Sequence, residues 1–239
     1  MDAAYTKTYA DLYRRHWWWR VRERILLEKI RTLLGDRTGT ARILDVGCGA
    51  GLFFDALEQF GHVEGIESHP IAVEQSGRWR HRIHLGELDT FAADARFDVI
   101  LALDVVEHVS SPDVMLRQAA TFLARDGRML ITTPAFNWLW TSHDDLNHHV
   151  KRYTAREMRE LVRKATLEPI ETRYLFQSLI LPKLALRASE ALFASSSSMP
   201  RVPPEVLNTA LETWFRSENA ILGWLPFGGS VMAVATRQR

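Results

Sequence analysis

The sequence predicts an α/β fold: a seven-stranded, mostly parallel sheet with helices on both faces, a helical lid ahead of it and a helical insert before the last strand. Three observations predict it. Short apolar runs alternate with helix-period segments from residue 41 onward. A glycine-rich turn, Gly47-Cys48-Gly49-Ala50-Gly51, follows the first of those runs. Two apolar-rich helical segments then separate the sixth run from the seventh. Parallel neighbours need long crossovers, and helices supply them.

Residues 9–34 carry aromatic and aliphatic side chains at threes and fours with arginines between them, which predicts one helix ended by Gly35. Residues 42–46 read as a buried strand, followed by the glycine turn and a helix over 52–60. Residues 62–67 form the second strand, and Pro70 opens a helix. A short third strand falls at 82–85 and a strong fourth at 97–103. Ser111-Pro112 supplies a cap with proline at the first helical position, so a helix runs to about Ala124. Asp126-Gly127 turns the chain into a fifth strand at 128–133. A helix begins near Thr154, and 167–175 is the sixth strand. Helical segments at 179–193 and 204–222 flank a serine run at 195–198, and the last strand is 231–235. The expected organisation is a single domain: lid 1–40, core 41–176, insert 177–226 and last strand 227–239.

The composition is that of a globular chain, with 46% hydrophobic and 25% charged residues. Thirty basic residues nearly balance 29 acidic ones, and this balance argues against a nucleic-acid partner. The lone Cys48 has no internal disulfide partner and no secretory signal opens the chain, so the expected location is cytoplasmic. No apolar run approaches the roughly 20 residues that span a bilayer.

Ligands of such sheets sit beyond the carboxyl ends of the strands. The glycine turn lies there, where glycines let the backbone bend sharply and approach a ligand that a Cβ would exclude. Its spacing is Gly-x-Gly-x-Gly, and Leu52 stands where a dinucleotide site wants its last glycine. Asp45, just before the turn, would repel a pyrophosphate but suits the positively charged amino end of a methionine moiety. Glu67 ends the second strand, twenty residues beyond Gly47. A carboxylate there can accept both hydroxyls of a ribose, the competing reading being a solvated glutamate at a strand end.

Asp45-Val46-Gly47-Cys48-Gly49-Ala50-Gly51, Glu67 and the segment from Asp98-Val99-Ile100 to Glu107-His108-Val109 resemble the class I methyltransferases that use S-adenosyl-L-methionine, whose fold is Rossmann-like. The resemblance covers residues 41 to about 167, and the last strand more loosely. His16-Trp17-Trp18-Trp19-Arg20 and residues 143–154 resemble a bacterial small-molecule branch of that superfamily. The resemblance implies that Gly47, Gly49 and Gly51 wrap the methionine part and that Glu67 holds the ribose, with Asp45, Cys48 and Ser68 also among the cofactor-binding residues. It also implies that Glu87 and Leu88 border the adenine and that Leu103 passes under the ligand. Glu87 departs from the aspartate common at that position.

Two loops rich in imidazole and carboxylate converge on the acceptor side: Asp104 to His108 after the fourth strand, and His143 to His149 after the fifth. His108, His143, His148 and His149 are the candidate proton acceptors, since imidazole titrates near neutral pH. His108 has an equal structural reading, because Glu-His is common there in methyltransferases that use no such base. Asp104, Glu107 and His108, with His148 or His149, resemble the Glu-x-x-Glu-His plus distant His set of small-RNA 2′-O-methyltransferases, and ubiquinone-pathway O-methyltransferases have a comparable segment. That resemblance implies a divalent metal orienting an acceptor hydroxyl. Asp104 replaces the first Glu, and the metal-free reading is favoured.

Trp17, Trp18 and Trp19, at about 100° steps, cannot share one helix face, so at least one must meet something beyond the domain core. Arg14, Arg15, Arg20, Arg22 and Arg24 surround them; a solvated lid helix is preferred over a nucleic-acid stacking surface. In the second insert helix Leu207, Ala210, Leu211, Trp214 and Ile221 fall on one face, which predicts that this face packs on the sheet or covers substrate. With Leu179, Ile180, Leu181, Leu184 and Leu192 they form a large apolar surface. A hydrophobic acceptor, peripheral membrane contact and a homodimer stay open for the rest of it. The expected function is methyl transfer to an oxygen, less so a nitrogen, of a small and partly apolar acceptor. The alternatives are RNA 2′-O-methylation and a non-catalytic regulatory protein that binds the cofactor.

Overall fold

The computed structural model describes residues 3–93, 95–193 and 200–238, so the serine run lies outside the described residues. Seven strands form one sheet: β1 (Ala41–Val46), β2 (Gly61–Glu67), β3 (Ile83–Leu85), β4 (Phe97–Leu103), β5 (Leu123–Pro134), β6 (Leu167–Leu175) and β7 (Ser230–Arg237). Their order is β3-β2-β1-β4-β5-β7-β6. The first five pair in parallel, and β7 enters antiparallel between β5 and β6. This is the Rossmann-like arrangement that the sequence predicts. Strand order reverses between β1 and β4, which opens a crevice at their carboxyl ends.

The helices are α1 (Ala3–Arg15), α2 (Trp17–Leu34), α3 (Phe54–Leu57), α4 (Pro70–Glu74), α5 (Pro112–Thr121), α6 (Ser142–Leu146), α7 (Ala155–Lys164), α8 (Ile180–Phe193) and α9 (Glu205–Leu222). Consecutive residues of the central strands feed opposite cores. Leu44, Ile100 and Met129 pack with Leu116 of α5 and Met158 of α7. Ile43, Val99 and Leu130 pack with Leu26 and Ile30 of α2 and Phe54 of α3. Burial on both faces is why these strands read as unbroken apolar runs.

Three local expectations are corrected. The helix over 9–34 is two helices broken at His16, whose extended backbone (φ −80°, ψ 131°) and ring Nδ1, accepting from the Trp18 N–H at 3.1 Å, start α2 afresh. The helix at Pro112 ends at Thr121, and the Ser111 side chain makes no capping bond; proline alone marks its start. The third correction concerns α9. It buries Asn208, Glu212, Phe215 and Glu218, while Leu207, Trp214 and Ile221 are about half exposed, at 51%, 47% and 54%. Of the face expected to pack on the sheet or cover substrate, Leu211 packs on the core, while Leu207, Ala210, Trp214 and Ile221 point outward.

The polar face of α9 faces inward because it docks on the lid. Asn208 Oδ1 accepts from the Trp17 N–H and its Nδ2 donates to the Arg15 carbonyl, each at 2.9 Å, bridging the break between α1 and α2. Glu212 pairs with Arg20 at 2.9 Å, and Glu218 accepts from the Ser178 N–H. Trp17 stacks on Phe215 with ring centroids 4.5 Å apart. Lid and insert therefore form one cover, and the insert is what the tryptophan helix meets beyond the sheet core. Asn208→Ala leaves the Trp17 N–H buried without an acceptor and should lower stability by about 1–3 kcal/mol. Urea unfolding checks this, with exposed Thr209→Ala as a control expected to stay within about 0.5 kcal/mol.

Candidate active site

The donor side is built at the carboxyl ends of β1 and β2. Gly47, Gly49 and Gly51 have φ of 73°, 57° and 68°, the left-handed region that favours glycine. A Cβ on Gly47 would come within 2.7 Å of Val105, whereas one on Gly49 would meet nothing within 4 Å. Gly47 is therefore fixed by packing against the loop after β4, and Gly49 faces open space. Glu67 holds the turn: Oε2 accepts from the Gly49 N–H and Oε1 from the His69 N–H, both at 2.8 Å. A carboxylate has about four acceptor sites, so two remain for ribose hydroxyls. Asp45 is buried beneath the turn. Burial pushes its carboxyl up to about 7; Arg22 opposes the shift and Glu67 adds to it. Ser68 and Glu87 are exposed, Leu103 is half-buried, and Leu88 is buried in the core with Ile66 and Phe97. Cys48 is a free thiol whose pKa is raised by burial and by the nearby Asp45 and Glu67.

On the acceptor side, backbone bonds between Pro134 and Tyr153 and between Phe136 and Tyr153 fold the loop after β5 back on itself. Asp144 is its anchor. A capping box with Thr141 fixes it at the start of α6, and Arg152 grips both of its oxygens at 2.7 Å. Although fully buried, its carboxyl is held well below the usual range, because the His149 and Arg152 bonds outweigh desolvation. The ionised Asp144 accepts from His149 Nδ1 at 2.7 Å, leaving Nε2 with a free lone pair. The His108 and His149 rings meet edge to face at 4.7 Å. Burial and the neighbouring His149 lower the His108 pKa, against the pull of Asp104 and of the Asn147 and His148 backbone. His143 is half-buried beside them and also lowered by burial. His148 is exposed and brings its backbone rather than its ring to His108.

Glu107, His108 and His149 place donor atoms within 4.8 Å of one another. Glu107 is completely buried, and neither carboxylate oxygen has a hydrogen-bond partner among the described residues; the Thr133 hydroxyl stands close without closing one. A buried carboxylate in that state asks for a proton or a cation. With His149 Nε2 available, the set fits a small divalent ion. Asp104, grouped with it from sequence, lies outside: Arg22 of α2 takes its Oδ2 at 2.7 Å, and Thr132 donates to its Oδ1 at 2.9 Å.

Arg22, one of a row of lid arginines expected to be solvated, instead enters the crevice and pairs with Asp104. It follows Trp18 by four positions, the spacing of one helix face, and its guanidinium lies over that ring at 5.7 Å before entering the crevice. Three of the other lid arginines are paired too: Arg20 with Glu212, Arg15 with Asp11 and Arg24 with Glu28. Asp144 and Arg152 were also passed over as a pair, although Thr141-x-x-Asp144 has the pattern of a capping box.

Residues 18–172 match a protein family described as a methyltransferase domain. The ubiquinone biosynthesis O-methyltransferase of Bradyrhizobium diazoefficiens is 33% identical over 107 residues, covering 42% of this chain and 42% of that protein. The enzyme of the same name from Cereibacter sphaeroides is 30% identical over 153 residues, 55% of this chain and 62% of that one. The chain thus spans about half the length of these curated relatives. An S-adenosylmethionine-dependent methyltransferase of Clostridium acetobutylicum shares the fold, with a TM-score of 0.59 at 8% identity over 92% of each chain.

The state of Asp45 makes a measurable difference. Ionised, it attracts an ammonium; protonated, it does not. Affinity for S-adenosylhomocysteine should therefore be level above the Asp45 value of about 7 and fall as pH drops below it, by up to about tenfold per pH unit. Calorimetry across pH 5.5–8.5 should show that bend in the wild type and lose it in Asp45→Asn.

Proposed function

This chain belongs to the methyltransferase-domain family, and from that premise we propose that it transfers a methyl group from S-adenosyl-L-methionine to an oxygen of a small, partly apolar acceptor. One observation carries the reading. A pair of carboxylates, Asp45 and Glu67, lies under an open glycine turn, and a carboxylate-oriented histidine, His149, stands across the same crevice. The sulfonium supplies an already activated methyl group. The chain's own residues bind, orient and move a proton. Asp45 faces the ammonium of the amino-acid end, and Arg22, held by Asp104, acts on Asp45 from the lid. Glu67 accepts from the ribose hydroxyls.

A hydroxyl must lose its proton as the methyl arrives, whereas an amine attacks through a lone pair it already has. His149, with Nδ1 fixed on Asp144, has Nε2 ready to take that proton, which supports oxygen over nitrogen. The names of the relatives support the same choice. The RNA reading loses ground: Arg15, Arg20, Arg22 and Arg24 are paired with carboxylates, and Trp17 and Trp19 are buried. The free Cys48 thiol agrees with a cytoplasmic setting, and among the described residues no helix is long and apolar enough to cross a membrane.

The unpartnered Glu107 favours a second reading of the same pair. A divalent cation held by Glu107, His108 and His149 would lower the pKa of an acceptor hydroxyl.

Gly49→Arg fills the open space over the turn and should abolish S-adenosylhomocysteine binding while the far-ultraviolet spectrum stays native; the left-handed backbone adds about 1–2 kcal/mol of strain. Surviving affinity rejects the site. His149→Ala should reduce the transfer rate about 10²–10⁴-fold with cofactor affinity unchanged. Turnover that persists after chelation makes His149 the proton acceptor, and turnover restored only by added magnesium or manganese makes it a ligand.

A further inference from the structure

We propose that Lys183 is the acceptor-recognising cation of this crevice and that the acceptor carries a carboxylate. The inference rests on the methyl-transfer reading and names the substrate class for it.

Lys183 lies on α8, the first insert helix. That helix is held over the acceptor loop by Glu190, which accepts from the Ser142 N–H at 3.1 Å and from its hydroxyl at 2.7 Å. Residues 183 and 190 are two turns apart and share a face, so the contact that seats Glu190 also aims Lys183 inward. Its ammonium reaches the carbonyl of Gly229 at 3.4 Å. That carbonyl also accepts from the Ala135 N–H, one residue past β5, which puts the ammonium at the carboxyl end of the sheet. Asp104, Asp144 and Arg152 act on Lys183 electrostatically, and Lys183 acts on His143. Lysine and catalytic loops thus border one space.

The other cations there are matched. Arg22 has Asp104 at 2.7 Å, and Arg152 has both oxygens of Asp144. Lys183 has three donors and one long bond to a carbonyl, and no described carboxylate lies within ion-pair reach of it. Desolvation lowers its pKa to about 8, so it stays mostly protonated at neutral pH and cannot serve as the main base there. A desolvated ammonium without a counter-ion is costly, and an anionic ligand removes the cost. One unmatched positive charge calls for one negative charge. Asp104 and Asp144 nearby disfavour a dianion such as a phosphate monoester.

The test uses the intact protein saturated with S-adenosylhomocysteine and carrying 13C-labelled lysine, with Lys183 assigned through Lys183→Met. Titration with benzoate should move the Lys183 signal, and the neutral isostere benzamide should leave it in place. By calorimetry Lys183→Met should weaken benzoate about tenfold or more, the scale of one charge-assisted hydrogen bond, with Lys183→Arg recovering part of the loss. Cofactor affinity should be unchanged in both variants. A Lys183 signal that ignores benzoate, one that answers benzamide equally, or a Lys183→Met protein that binds benzoate as wild type would overturn the proposal. A stronger response to inorganic phosphate than to benzoate would overturn the single-charge class. Loss of S-adenosylhomocysteine binding in the wild type would instead strike the methyl-transfer reading.

Discussion

Strand order reverses between β1 and β4, so the segments that follow these neighbours leave in opposite directions and the carboxyl ends of both strands stay uncovered. Everything chemical in the molecule answers to that gap. The glycine turn closes its floor, and Glu67 reaches back from β2 to tie the turn in place. Asp104 takes a left-handed conformation (φ 57°) as the chain leaves β4, turning its carboxylate to meet Arg22. The desolvated Asp45 near the end of β1 is eased by Arg22, which acts on it from the lid.

The cover shows what a polar crevice requires of the helices above it. A helix over an apolar core turns leucines inward. α8 and α9 lie over carboxylates, imidazoles and the broken lid, so Lys183, Glu190, Asn208 and Glu212 are the side chains engaged below. Leucines 181 and 207 and the indoles of Trp214 and Trp224 are left on the outside. The inversion follows from what lies underneath.

How much of this was legible in the sequence depends on what each signal reports. The strands were readable because burial on both faces leaves unbroken apolar runs such as 97–103, and the turn was readable because only glycine serves there. The carboxylates at 45 and 67 followed from their distance to the turn. The acceptor histidines were visible as a cluster, but separating His149 from His148 needs the backbone: φ is 56° at His148, and only His149 reaches Asp144. The direction of α9 was hidden for a different reason. Periodicity finds the apolar face of a helix but says nothing about whether its neighbour is apolar, and here the neighbour is a lid whose free backbone groups at Arg15 and Trp17 need Asn208. Arg22 was hidden because a buried arginine and a solvated one look alike in a row of arginines.

β7 follows β6 in the sequence yet occupies a slot between β5 and β6. While the polypeptide is being synthesised, β6 has no place to join the sheet until residues 230–237 have emerged, and the lid waits on α9 for its partner. The cofactor turn can form early; the roof over it cannot. Until residues 230–237 are in place, the outer edge of β5 and both edges of β6 stand without a sheet partner, the kind of bare edge that aggregates or is taken up by chaperones.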